Sequence, residues 1–317
     1  MSITQADIHA ARALIGNRLH RTPTLSATSL GRMAGVRLLV KAELLQKTGS
    51  FKPRGVLARL AALTAEERER GVIGISAGNH AQALAYGAAL EGIGCTVVMP
   101  ATAVASKVAA ARAYGARVVQ HGASSIEAFE EYERLLATEG QVPVHPFSDP
   151  RVIAGQGTIG LELLEEVPDL EAVIVPVGGG GLLAGVAVAI KEQRPHVRIV
   201  GVEPEGAPGL SRALASGQVQ ALTAVQTIAD GLAAPFASQI TLQIAQRYVD
   251  DVVLVSDQQI AEALGLVLER TKLQVEPAGA AGVAALLARR CGLPDGACTV
   301  AILSGGNIDR ALLKALV

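Results

Sequence analysis

Residues 172–190 read AVIVPVGGGGLLAGVAVAI. No charge interrupts this run, whose length approaches that of a membrane-spanning helix. Pro176 and the four consecutive glycines Gly178 to Gly181 break it into a strand, a tight turn and a helix. Both halves are continuously apolar rather than alternating, the pattern of elements covered on two faces, as in a parallel sheet. A soluble parallel-sheet protein is therefore expected here, and a membrane span is not.

On either side of this stretch, short β-branched runs recur ahead of alanine-rich segments: Val72 to Ile75, Thr96 to Met99, Arg117 to Gln120, Ala172 to Val177, Arg198 to Val202 and Thr299 to Leu303. Helices are expected over Ala81 to Glu91, Ser106 to Tyr114, Ser125 to Glu139, Gly181 to Gln193 and Ile260 to Glu269, which are rich in Ala, Leu and Glu. Strands alternating with helices make βαβ units, so the fold class is α/β. The turn-rich stretch QVPVHPFSDP, Gln141 to Pro150, reads as a domain crossing. We expect a small domain at 61–147 inserted in a large one made of 1–60 and 148–317, with a ligand cleft between them.

Composition narrows the classes. With 317 residues, half of them hydrophobic, the chain can bury a large core. Its 28 basic and 29 acidic residues are scattered, which gives no electrostatic footprint for nucleic acid or an acidic membrane. Cys95, Cys291 and Cys298 show neither zinc-ligand spacing nor a disulfide pattern. The first residues, MSITQADIHAARALIG, lack the features of a signal peptide, so a cytoplasmic location is expected.

Four turns carry the chemistry. In Ser50-Phe51-Lys52-Pro53-Arg54-Gly55, one of only seven lysines in the chain sits between Phe51 and Pro53. A desolvated lysine has a lowered pKa and condenses with aldehydes, although Lys52 is also compatible with an ordinary helix start. Ser76-Ala77-Gly78-Asn79-His80 lies between a strand and a helix, where free N–H groups and the helix dipole hold a carboxylate or phosphate. There His80 reads as a local hydrogen-bonding residue. Gly178-Gly179-Gly180-Gly181-Leu182 allows successive N–H groups to surround a phosphate. Ser304-Gly305-Gly306-Asn307 follows a strand, at the crevice end of the sheet.

The glycine loop also admits a rival. Gly179, Gly181 and Ala184 fit a dinucleotide fingerprint with Glu203 as ribose acid, which would make the chain an NAD-dependent oxidoreductase. That reading leaves the other three turns without a role. No G-K-[ST] closes the glycines into a P-loop. A non-catalytic amino-acid-binding protein is the remaining alternative from a different class.

Taken in order, SFKPRG, SAGNHA, VGGGGL and SGGN, together with VIAGQGTIGLELLEE (152–166) and TKLQVEPAGA (271–280), resemble the serine/threonine dehydratase and serine racemase branch of the fold-type II pyridoxal-phosphate enzymes. The resemblance spans essentially the whole chain. It implies a tryptophan synthase β-like fold with two open, mostly parallel sheets and the cofactor in the cleft between them. It further implies that Lys52 holds pyridoxal 5'-phosphate as a Schiff base and takes the substrate's α-proton, with Phe51 beside the ring. Asn79 would bond the phenolic oxygen, Gly178, Gly179, Gly180, Gly181 and Leu182 the phosphate, and Ser304 the pyridine nitrogen. Ser76, Ala77, Gly78, Asn79 and His80 would bind the substrate carboxylate. A neutral serine makes the ring a milder electron sink, which favours elimination of a β-hydroxyl.

The implied activity is a threonine/serine ammonia-lyase acting by α,β-elimination, in a homodimer or homotetramer. A dehydratase of 3-hydroxyaspartate or of a hydroxyectoine-pathway intermediate, or a serine racemase, is the nearest alternative. Ala77 stands where the racemase pattern has a second acid/base serine, so racemisation is expected to be slight. A divalent or monovalent cation is expected at Glu203 and the carbonyl of Ala207, although Gly209 replaces the pattern's second carboxylate. The chain ends at Val317, soon after SGGN, so no C-terminal regulatory domain is expected. Ala229 to Ala237, ADGLAAPFA, is expected to shape an apolar pocket for a short side chain.

Overall fold

A computed structural model, describing residues 3–317, arranges ten strands in two sheets. Met1 and Ser2 of the N-terminal segment lie outside the described residues. The first sheet contains β1 (Thr24–Ser26), β2 (Arg37–Ala42), β7 (Ala172–Pro176), β8 (Arg198–Pro204), β9 (Asp251–Val255) and β10 (Cys298–Leu303) in the order β1-β2-β10-β7-β8-β9. The second contains β3 (Val72–Ile75), β4 (Cys95–Met99), β5 (Arg117–Gln120) and β6 (Val142–Pro143) in the order β5-β4-β3-β6. Every pairing is parallel except β1 with β2. The chain leaves the first sheet after β2, builds the second, and returns at β7.

All six strands expected from the sequence are present within a residue or two. Of the four others, β1 and β6 offer no apolar run, and the short runs Leu38 to Val40 of β2 and Val252 to Val255 of β9 are not among the strands expected. β1 and β6 are three and two residues long, while β2 and β9 carry Arg37, Lys41 and Asp251. Lys41 is fully buried despite its charge, because its amine meets the Thr22 carbonyl at 2.7 Å, Glu162 at 2.8 Å and Glu166 at 3.0 Å. A buried charge survives only with such partners. The expected helices are also present, with starts set by local chemistry. Ser124 and Glu127 form a capping box for Ser125–Glu139, and Asp149 accepts from the N–H groups of Arg151 and Val152 to start Pro150–Glu166.

The central packing element is the helix Pro150–Glu166, in which thirteen consecutive residues, Val152 to Leu164, are buried. On one side it meets the helix Lys52–Leu60, and on the other the helix Gly181–Lys191. Both contacts are made through glycine. A Cβ added to Gly155 would lie 2.4 Å from the Arg54 carbonyl oxygen, and one added to Gly185 would lie 2.3 Å from that of Ile153. Backbone touches backbone at these points, so no side chain can yield. The two outer helices begin at Lys52 and at the glycine turn, and the central helix thereby fixes one relative to the other.

Arg54, in the first turn after Lys52, reinforces the junction with paired contacts of 2.6–3.0 Å to Glu43 and Glu162. Val56 and Leu60 pack with Val72, Leu84 and Val142 of the second sheet's core. No helix among the described residues is long and apolar enough to cross a membrane. For Gly155→Ala we expect a loss of about 1–3 kcal/mol in urea unfolding at unchanged slope. A midpoint equal to that of the unmodified protein would show that the helices can separate without cost.

Candidate active site

The four turns read from the sequence converge on one cavity of about 500 Å³. Phe51, Lys52, Ser76, Ala77, Gly78, Asn79, His80, Gly178, Gly179, Gly180, Gly181, Leu182 and Ser304 all line it. They come from loops that leave the carboxyl ends of β3, β7 and β10 and from the start of the helix Lys52–Leu60, the crevice position where open α/β sheets bind ligands. Asp230 to Pro235 line it too, as expected for that segment. Glu203 and Ala207 do not.

Lys52 is held from two directions. The Phe51 N–H donates to the Ser304 carbonyl at 3.1 Å, and Ser50 forms an isolated bridge with Gly305, which ties the lysine turn to the SGGN turn. The Lys52 amine donates to the Pro146 carbonyl at 3.1 Å and stands 5.1 Å from the centre of the Phe51 ring. Burial lowers its pKa to about 8, and the charge of Glu276 opposes part of that shift. Roughly a tenth of such an amine is neutral at pH 7, against about one part in three thousand for an ordinary lysine.

The glycine turn is shaped by what touches it. Gly180 has φ +88°, a conformation open to glycine at little cost, and its carbonyl accepts from the Ala184 N–H at 2.9 Å as the helix begins. A Cβ on Gly179 would fall 2.3 Å from ring carbons of Phe147, which lies against the turn and edge-on to Phe236 with centroids 5.7 Å apart. The Thr241 hydroxyl donates to the Gly179 carbonyl at 3.0 Å. Among the described residues, the N–H groups of Gly178, Gly179, Gly180, Gly181 and Leu182 have no partner. A row of free N–H groups at a helix N-terminus suits a phosphate, so the turn fits the phosphorylated cofactor.

In the turn after β3, the Ser76 hydroxyl accepts from the Gly78 N–H at 3.1 Å, while the N–H groups of Ala77, Asn79 and His80 have no partner among the described residues. Free N–H groups at the start of the helix Asn79–Glu91 suit a second anion. His80 is no base: its Nε2 meets the Val144 carbonyl at 2.8 Å, and burial together with the Lys52 charge drives its pKa down to about 3. His145 is likewise held neutral, with burial and Lys52 lowering it to about 4, and its Nδ1 accepts from the N–H groups of Phe147 and Ser148.

The Glu203 carboxylate, expected as a cation ligand, meets groups of its own chain. It is fully buried and accepts from Leu210 N at 2.7 Å, Ser211 N at 2.9 Å and Ser211 Oγ at 2.6 Å. It thereby serves the first turn of the helix Gly209–Ser216. No group of three His, Cys, Asp or Glu side chains among the described residues could hold a metal.

Three features of the site were not read from the sequence. Glu276, only 3% exposed, lines the cavity and accepts from Asn79 Nδ2 at 2.7 Å. Burial pushes its carboxyl up to about 8, with Asp230 adding to the shift. The signal lay in a lone carboxylate followed by eleven uncharged residues, Pro277 to Leu287. Lys107 and Asp230, both lining the cavity, form an ion pair between the helix Ala105–Ala113 and the turn Asp230–Leu232. Phe147 gave no signal, because its contacts exist only after folding.

The cofactor-free protein should react with a small aldehyde at position 52, as trapped by borohydride and located by mass spectrometry. The rate should rise with pH and level off above about 8. A plateau reached only near 10.5 would mean that the amine is not desolvated.

Residues 16–305 match the sequence profile of a family described as pyridoxal-phosphate dependent enzyme. The L-threonine ammonia-lyase of Thermotoga maritima is 44% identical over 315 residues, covering 99% of this chain and 78% of that protein. A solved structure of a T.th. threonine deaminase superposes with a TM-score of 0.91 at 43% identity, covering 96% of this chain and 99% of the other. Maize serine racemase superposes with a TM-score of 0.95 at 39% identity, covering 99% and 97%.

Proposed function

The chain belongs to the pyridoxal-phosphate dependent enzymes, and from that premise we propose that it is an ammonia-lyase converting L-threonine, and L-serine, to a 2-oxo acid and ammonia. The observation that carries the reading is the desolvated Lys52 amine in the same cavity as the free N–H groups of Gly178 to Leu182. The site accords with an aldehyde-bearing, phosphorylated ligand better than with a dinucleotide, since the cavity holds a nucleophilic amine. We also propose that 61–147 is the small domain, inserted between 1–60 and 148–317. A cytoplasmic homodimer or homotetramer completes the reading, and sedimentation of the purified protein tests the assembly.

Bound pyridoxal phosphate supplies an aldehyde that condenses with amines and a ring that draws electron density from the substrate's α-carbon. The chain's residues do the rest. The N–H groups of Gly178 to Leu182 would hold the phosphate, and Asn79 would donate to the ring oxygen. Ser304, which lines the cavity, would offer the ring nitrogen a hydroxyl rather than a carboxylate. The turn Ser76 to His80 holds the substrate carboxylate through backbone N–H groups and so orients the α-hydrogen toward Lys52. The Lys52 amine, once free, takes that proton. The β-hydroxyl departs as water, and a water molecule returns when ammonia is released, so threonine yields one 2-oxo acid and one ammonia.

Racemisation needs a proton delivered to the opposite face. Ala77 supplies no acid there, which favours the lyase over the racemase reading. The apolar wall Leu232 to Pro235 favours a short side chain over an acidic one.

Purified protein should be yellow and bleached by borohydride, and a panel of β-hydroxy amino acids should release 2-oxo acid and ammonia fastest from threonine or serine. Lys52→Ala should fold, lack the colour and lose roughly 10²–10⁴-fold or more in turnover. Turnover retained in that variant would end the mechanism. Ala77→Ser should raise racemase side activity, measured as D-serine formed from L-serine, and an unchanged level would remove the opposite-face argument.

A further inference from the structure

Asn79 does not choose its own orientation. A carboxamide has one acceptor end and one donor end, and swapping them changes what the side chain can bind. Three neighbours set the Asn79 amide. Asn307 Nδ2 donates to the Thr48 carbonyl at 2.7 Å and to Asn79 Oδ1 at 2.8 Å. Asn79 Nδ2 then donates to Glu276 Oε1 at 2.7 Å. The series runs from Thr48 through Asn307 and Asn79 to Glu276 and joins four segments distant in sequence.

Its direction is decided at the Thr48 end. A backbone carbonyl only accepts, so Asn307 must turn its NH₂ toward Thr48, and that group's second hydrogen goes to Asn79 Oδ1. The Glu276 end could not decide, because a protonated carboxyl can donate as well as accept. Thr48 itself is unusual: φ +63° places a β-branched residue in the left-handed region, where such residues are outliers. Gly49 follows with φ +73°, and a Cβ there would lie 2.5 Å from Asn307 Oδ1. Both ends of the series are packed as closely. A Cβ on Gly305 would lie 2.3 Å from Glu276 Oε1.

We propose that Asn307, anchored on the strained Thr48 carbonyl, is a positioning residue that locks Asn79 with its second N–H toward the cavity, making this wall a hydrogen-bond donor that selects an anionic ligand oxygen. The proposal rests on the reading that Asn79 meets the cofactor's ring oxygen. Asn307 acts only through Asn79. A flipped amide would turn its oxygen toward that ligand oxygen and repel it.

The test is a double-mutant cycle read by cofactor affinity and not by turnover. Cofactor-free proteins are titrated with pyridoxal phosphate and followed by visible absorbance. Asn307→Leu, near in size and without donors, should weaken binding roughly tenfold, the worth of one hydrogen bond to a charged oxygen. In an Asn79→Ala background the same substitution should change affinity by less than about twofold. Asn307→Asp, which keeps the shape and loses the donors, should repeat the pattern if the leucine variant folds poorly. Equal losses in both backgrounds, or no loss in either, would overturn the proposal. An unmodified protein that takes up no cofactor would instead overturn the functional reading beneath it.

Discussion

The site depends on three helices that touch through bare backbone. The central helix Pro150–Glu166 bears on the lysine helix at Gly155 and on the phosphate-loop helix at Gly185, at separations where a methyl group would collide with a carbonyl oxygen. Contacts of this kind have no rotamers with which to adjust. The amine of Lys52 and the N–H groups of the glycine turn are therefore fixed relative to each other, although they are about 130 residues apart in the chain. Arg54, buried between Glu43 and Glu162, stiffens the same junction with charge-assisted hydrogen bonds.

Around that frame the cavity combines two turns of free N–H groups with one desolvated amine. Both turns lead from strand to helix, their N–H groups are left free by the fold, and they require no buried charge. The costly elements are few. Lys52 is desolvated, Glu276 is buried beside it, and Thr48 is held in a left-handed conformation. Lys52 and Glu276 line the cavity and Thr48 lies behind it through Asn307 and Asn79, the surroundings in which strain and shifted pKa values gather in enzymes. The neighbouring imidazoles, His80 and His145, are held neutral by burial and by Lys52, so no second base competes for the proton.

Glu203 shows the reverse situation. By sequence it looked like either a ribose acid or a cation ligand, because an acid after a strand in a glycine-rich protein suits both. Folding commits its oxygens to Leu210 and Ser211 at a helix start. These hydrogen bonds use three of the roughly four acceptor positions of a carboxylate, so the helix start orients the group.

Read alone, the amino-acid sequence settles the α/β class, six of the ten strands and the four turns that meet at the cavity. These are local properties: apolar runs of strand length, glycines that permit a tight turn, and a lysine in an apolar context are legible wherever they occur. It leaves open β1 and β6, which are very short, β2, whose apolar run ends at Lys41, a charge that only buried partners neutralise, and β9, an apolar run of four behind Asp251. It is equally silent on Phe147 against Gly179, Lys107 with Asp230, and the series from Thr48 to Glu276. Those depend on which residues meet across two sheets and on which end of an amide faces which neighbour. Such pairings are set by tertiary packing, because no single segment contains both partners.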